Sequence, residues 1–122
     1  MKLLALLSLA LLALPAHAAS SKQDELAGAV LFRDRGCTFC HGDHLQGTDR
    51  APSLDQIRKK LKADRITAQI TKGSVKMPAF GEILTHDQID QLVAYLRAKK
   101  RPIPPPAPAS EPQPPLPPAN PQ

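Results

Sequence analysis

The chain has 122 residues, a formal net charge of +5, and only four aromatic side chains, three Phe and one Tyr with no Trp. That length gives room for one domain, and so few rings leave only a thin apolar core. A chain this small is marginal on apolar burial alone and is usually stapled by disulfides, a metal or a comparable insert.

Residues 1–18 read MKLLALLSLALLALPAHA, with one Lys, a largely apolar run over residues 3–14, Pro15, and a small-x-small ending at Ala16-His17-Ala18. This is the make-up of a secretory signal peptide, cleaved after Ala18. A run of that length falls short of the about 20 residues that cross a bilayer. No later stretch is apolar enough to span one, so the mature chain is expected to be exported, periplasmic and free of a membrane span.

The domain proper is expected over residues 19–101. Ser21 is placed to cap a first helix with Asp24 and Glu25 in its first turn. Leu26, Ala29, Val30 and Phe32 then recur near a 3.6 period, and the helix should stop at Gly36. Gly28 inside it costs about 1 kcal/mol relative to Ala, a cost that close packing would justify. Residues 53–61 can add a helical turn. Asp64 is expected to cap a short helix with Ile66 and Ile70 on one side, ended by Gly73. Thr85 with Gln88 forms a capping-box pattern ahead of the stripe Ile89, Leu92, Val93 and Leu96, and Arg97, Lys99, Lys100 and Arg101 suit a helix C-terminus. No strand pattern stands out. The expected fold is all-α, with the first and last helices packed on each other.

From Pro102 to the end the chain holds eleven prolines and a single charge, Glu111. Proline lacks a backbone donor and blocks helix, so residues 102–122 are expected to be a polyproline spacer.

Both cysteines fall in CTFCHG, residues 37–42. A C-x-x-C pair can serve redox exchange, but the thioredoxin-type version sits in a strand–helix fold absent from this pattern. A disulfide across four residues would add little stability. Zinc needs four ligands, which Cys37, Cys40, His41 and either His44 or His86 could only just supply. Cys-x-x-Cys-His is also the attachment sequence of c-type haem. Two thiols can add to the vinyl groups of a haem while the adjacent His41 offers its imidazole to the iron from the same helical turn. Export suits that chemistry, and a haem would fill the missing core.

The expected mature chain contains one methionine, Met77, in GSVKMPAF. A lone Met is usually core filler. This one lies outside any apolar stripe, on a loop stiffened by Pro78, where it can supply a thioether as sixth ligand and raise the potential relative to bis-histidine ligation. His44 is too near His41 to reach the opposite side of a haem, and His86 suits an exposed first helical turn.

These stretches resemble the class I c-type cytochromes, the small single-haem electron carriers. The matching segments are GAVLF (28–32), CTFCHG (37–42), APSL (51–54), KMPAF (76–80) and LVAYL (92–96), in the family's order and covering nearly all of residues 23–100. The resemblance implies three to four helices around one covalently attached haem c. Cys37 and Cys40 would carry the thioether bonds, with His41 and Met77 as iron ligands. It also implies that the Pro52 carbonyl accepts a hydrogen bond from the His41 ring, and that Gly28 and Phe32 meet Leu92 and Tyr95 where the end helices cross. The short His41–Met77 spacing implies a trimmed loop on one haem edge. The Pro-rich tail has no counterpart in the family.

The function implied is single-electron transfer between protein redox partners, such as an exported dehydrogenase, reductase or oxidase, with no catalysis by the chain itself. Basic runs at residues 58–62 and 97–101 would steer it toward an acidic partner. An exported chain so poor in aromatic surface argues against nucleic acid. A haem enzyme or gas sensor with a displaceable sixth ligand is the alternative, and a haem-free zinc or disulfide module ranks behind both.

Overall fold

In the computed structural model, which describes residues 21–108, Ser21 opens the first helix with a reciprocal cap. Its hydroxyl accepts from the Asp24 amide at 3.0 Å, and the Asp24 carboxylate accepts from the Ser21 amide at 3.1 Å. The expected signal peptide lies outside the described residues, as does most of the Pro-rich tail. Five helical segments follow in order and no strand occurs among the described residues. They are α1 (Lys22–Asp34), α2 (Cys37–His41), α3 (Ile57–Lys60), α4 (Ala63–Lys72) and α5 (His86–Arg97). The count exceeds the expected three to four because α2 and α3 span only five and four residues.

Helices α1 and α5 cross and form the frame. Isolated helices shorter than about 12–15 residues are marginal in water, so these two depend on the face they share. Ala29, Phe32, Ile89, Leu92, Tyr95 and Leu96 are all buried there. The Phe32 and Tyr95 rings meet at 5.6 Å between centroids with a 54° tilt, a favourable aromatic geometry. At the crossing, a methyl on Gly28 would collide with the Gln91 carbonyl and come within 2.7 Å of Tyr95 Cβ. The helices therefore approach backbone to backbone.

The buried face of α1 is rotated from the expected stripe. Leu26 is exposed and Glu25 is buried. The Glu25 carboxylate tolerates this position because Lys22 Nζ donates to it at 2.8 Å and the helix N-terminus favours negative charge. Helix α4 also begins differently. Lys62, not Asp64, is its N-cap, and Asp64 sits in the first turn, where a carboxylate acts on the helix dipole without capping a specific amide. Ile66 and Ile70 are buried and Gly73 ends the helix, as the pattern requires. Thr85 and Gln88 form the expected capping box of α5.

Beyond α5 the chain stays on the domain. Arg101 Nη2 donates to the carbonyls of Leu54, Asp55 and Leu96 at 3.1, 2.9 and 3.3 Å. Arg33 Nη1 donates to the carbonyl of Pro105. Residues 102–108 form neither helix nor strand.

Candidate functional site

Between α5, α4 and the loops lies a cavity of about 640 Å³. Its walls are largely apolar, with Phe32, Ile66, Ile70, Leu92 and Leu96 from the helices and Leu54, Ile57 and Leu61 from the connecting segment. Cofactor pockets span about 300–1,000 Å³ and are lined mainly by apolar groups, so the space suits a flat apolar prosthetic group. Cys37, Cys40, His41, Pro52 and Met77, distant in sequence, all line this one cavity.

Helix α2 presents Cys37, Cys40 and His41 on a single turn. The two cysteines form no disulfide with each other. Burial pushes the Cys37 thiol above its ordinary value. A redox-active C-x-x-C pair needs a lowered pKa to form a thiolate, so this environment disfavours the thioredoxin-type reading. Among the described residues no group of three or more His, Cys, Asp or Glu converges on a common point, which disfavours the zinc reading.

The His41 ring is fixed by its surroundings. Its Nδ1 lies 2.9 Å from the Pro52 carbonyl. A carbonyl can only accept, so Nδ1 carries a proton, and in the neutral ring the lone pair is then on Nε2. Phe32 lies against the same ring at 6.4 Å. The loop from His41 to Pro52 is stitched in place by several bonds. Gly47 N donates to His41 O at 2.8 Å, Thr48 Oγ1 to Cys40 O at 2.6 Å, and Leu54 N to Leu45 O at 2.7 Å. Leu45, buried at the bend, adopts a left-handed φ of 60°, which costs a non-glycine residue about 1–2 kcal/mol and marks a tightly determined turn.

Met77 reaches the cavity from the α4–α5 loop. Ser74 N donates to Met77 O at 2.8 Å, and Phe80 N donates to Ile70 O at 3.0 Å, so the loop is tied at both ends. A Cβ at Gly73 would strike the Met77 carbonyl and come within 2.7 Å of the Pro78 carbonyl carbon, and the φ there is 64°. Only glycine permits that approach. Gln69 Nε2 donates to Met77 Sδ at 3.7 Å. Sequence reasoning missed Gln69, whose one signal was a polar side chain one turn after the buried Ile66 and next to the buried Ile70. It also missed Arg50, whose guanidinium stacks 4.3 Å above the exposed Phe39 ring beside Cys40. His44 and His86 are exposed and do not line the cavity.

The profile of the family described as cytochrome c oxidase, cbb3-type, subunit III matches residues 23–96, more than half of the chain. The chain belongs to this family of c-type cytochromes. The cytochrome is 39% identical over 70 residues to the menaquinol:cytochrome c reductase cytochrome c subunit of Bacillus subtilis (strain 168), covering 57% of its own length and 26% of that subunit. It is 34% identical over 80 residues to cytochrome c6 of Rippkaea orientalis (strain PCC 8801 / RF-1), covering 62% of its own length and 71% of that protein. Among solved structures, c-type cytochrome XoxG from Methylobacterium extorquens AM1 superimposes with a TM-score of 0.58 at 27% identity, over 66% of the cytochrome and 56% of XoxG. The KustC0563 c-type cytochrome superimposes with a TM-score of 0.52 at 29% identity, over 57% and 93% of the two chains. The cytochrome therefore has the class I fold, holds haem c covalently and works in electron transfer.

Proposed function

We propose that the cytochrome is an exported, periplasmic single-electron carrier in which Cys37 and Cys40 are the thioether anchors and His41 and Met77 the two iron ligands. One observation carries this reading: the two thiols, the imidazole and the thioether line the same apolar cavity, and His41 Nδ1 is engaged by Pro52 O at 2.9 Å. That bond directs the unprotonated Nε2 away from the Pro52 loop and raises its basicity as a ligand. When bound, the haem iron supplies the one-electron exchange.

The remaining side chains bind, orient and shield. Phe32, Ile70, Leu92 and Leu96 keep water from the enclosed part of the cavity. Arg50, Val75 and Lys76 lie at its exposed side, with the exposed Phe39 ring stacked under Arg50, and an electron would enter or leave there. Arg58, Lys59, Lys60 and Lys62 are exposed, which supports docking to an acidic redox partner such as an exported dehydrogenase, reductase or oxidase subunit. In this reading residues 1–18 direct export, residues 19–101 form the cytochrome domain, and residues 102–122 act as a Pro-rich spacer. No described helix is long and apolar enough to cross a membrane.

Protein matured in a host competent for haem attachment should keep its pigment through denaturation and acid–acetone extraction. The reduced form should not bind carbon monoxide at neutral pH, whereas Met77→Ala should bind it and show a lower potential. Pigment that washes out would defeat covalent attachment. Carbon monoxide binding by the unaltered protein would replace the carrier with a haem enzyme or gas sensor.

A further inference from the structure

Residues 54–61 supply Leu54, Ile57 and Leu61 to one wall of the cavity, yet little within the segment explains its position. Its helix α3 has four residues, no buried residue and no side-chain cap. A helix of that length does not hold itself together in water. Both ends of the segment are gripped from the C-terminal end of α5. At the near end, Arg101 Nη2 donates to Leu54 O and Asp55 O, and also to Leu96 O at the end of α5. At the far end, Arg97 Nη1 donates to Leu61 O at 2.7 Å.

We infer that Arg101, together with Arg97, is a positioning residue of the haem site, stapling the 54–61 wall to α5 so that Leu54, Ile57 and Leu61 stay closed on the cavity. The inference rests on the reading of that cavity as the haem pocket. Hydrogen bonds from a charged donor are stronger than neutral ones, and a planar guanidinium can bridge several carbonyls at once. Burial of Arg101 Nε, which has no hydrogen-bond partner among the described residues, shows that the guanidinium gives up water to reach these carbonyls. The Leu96 carbonyl lies in the last turn of α5, where carbonyls lack intrahelical partners and a cation is favoured. Leu54 also ties the wall to the proximal loop, since its amide donates to Leu45 O two residues beyond the Pro52 carbonyl that holds His41. A loosened wall would let water in beside the haem. Water stabilises the more highly charged ferric form, so the potential would fall.

The test uses full-length holoprotein carrying Arg101→Gln, Arg101→Lys or Arg97→Gln, with amide hydrogen exchange and the midpoint potential read together. For Arg101→Gln, amides of residues 54–61 should exchange roughly tenfold faster or more, with the α1–α5 core within about twofold of the parent. The potential should fall in the order parent, Lys variant, Gln variant, because lysine keeps the charge but not the fork. Exchange at 54–61 that stays within about twofold of the parent, or rises equally across α1 and α5, overturns the inference. So does a native potential in a Lys variant whose wall has loosened, since charge alone would then set it. If Arg101→Gln does not accumulate as holoprotein, the exposed Arg97→Gln decides the matter by loosening the Leu61 end alone. The two failures separate cleanly: pigment lost on extraction defeats the haem reading, and an unmoved wall defeats this one.

Discussion

Gln69 shows how a single side chain extends the site beyond the residues that carry the motif. Its amide donates to Met77 Sδ, and with Met77 as the proposed iron ligand the bond would draw away electron density that the sulfur otherwise gives to the iron. That favours the ferrous state, so Gln69→Leu should lower the midpoint potential. Sulfur is a weak acceptor, and a bond of about 0.5–1 kcal/mol corresponds to a fall on the order of 20–40 mV when about 59 mV is tenfold for one electron. Potentiometric titration of the two holoproteins checks this, and an unchanged value would show that the bond does not act on the ligand. Gln69 was not legible because its chemistry depends on where the Met77 loop returns. His41 was legible as a candidate, since its adjacency to Cys40 within one helical turn is a matter of local spacing. Pro52 as acceptor came only through the family resemblance, and the 2.9 Å contact with His41 is a property of the folded loop.

Among the elements, the α1–α5 crossing matters most for the site, because Phe32 and Leu92 line the cavity from it. Replacing Gly28 by Ala would gain about 1 kcal/mol of helix propensity. The new methyl would nevertheless overlap the Gln91 carbonyl, and forced separation of a packed interface typically costs about 1–3 kcal/mol. Backbone atoms cannot swing aside as a flexible side chain can, so the packing cost should win and Gly28→Ala should be destabilised by up to about 2 kcal/mol net in denaturant unfolding of the holoprotein. A stabilised variant would mean that the crossing is looser than the structure has it. The capping residues Ser21 and Thr85 were readable because a cap is a local event of four residues. The rotation of the α1 stripe from Leu26 to Glu25 was not, because the choice between neighbouring faces is made by α5. The start of α4 at Ala63 was misread for a similar reason: an acidic residue near a helix start serves equally as cap or as first-turn charge.

At the scale of the whole molecule, the proposed docking to an acidic partner makes salt the natural variable. The basic residues of the 58–62 segment are exposed, and Arg50 and Lys76 lie at the cavity itself. Screening lengths shorten from about 30 Å at 0.01 M salt to about 8 Å at 0.15 M. The association rate with an acidic redox partner should therefore fall by about tenfold or more over that range, with Lys59→Glu and Lys60→Glu flattening the dependence. Stopped-flow electron transfer at several ionic strengths measures it, and a salt-independent rate would assign these charges to solvation alone.

By itself, the sequence determined the order of the main helices, the C-x-x-C-H spacing of Cys37, Cys40 and His41, and the isolation of Met77 on a proline-stiffened loop. Each of these is a matter of spacing over a few residues, where backbone geometry leaves little choice. The tertiary structure alone decided that Gln69 meets the Met77 sulfur, that Gly28 lies against a carbonyl, and that arginines at the end of α5 grip residues 54 to 61. Those contacts join residues 8 to 63 positions apart. Their partners are chosen by the packing of whole elements, which no local pattern encodes.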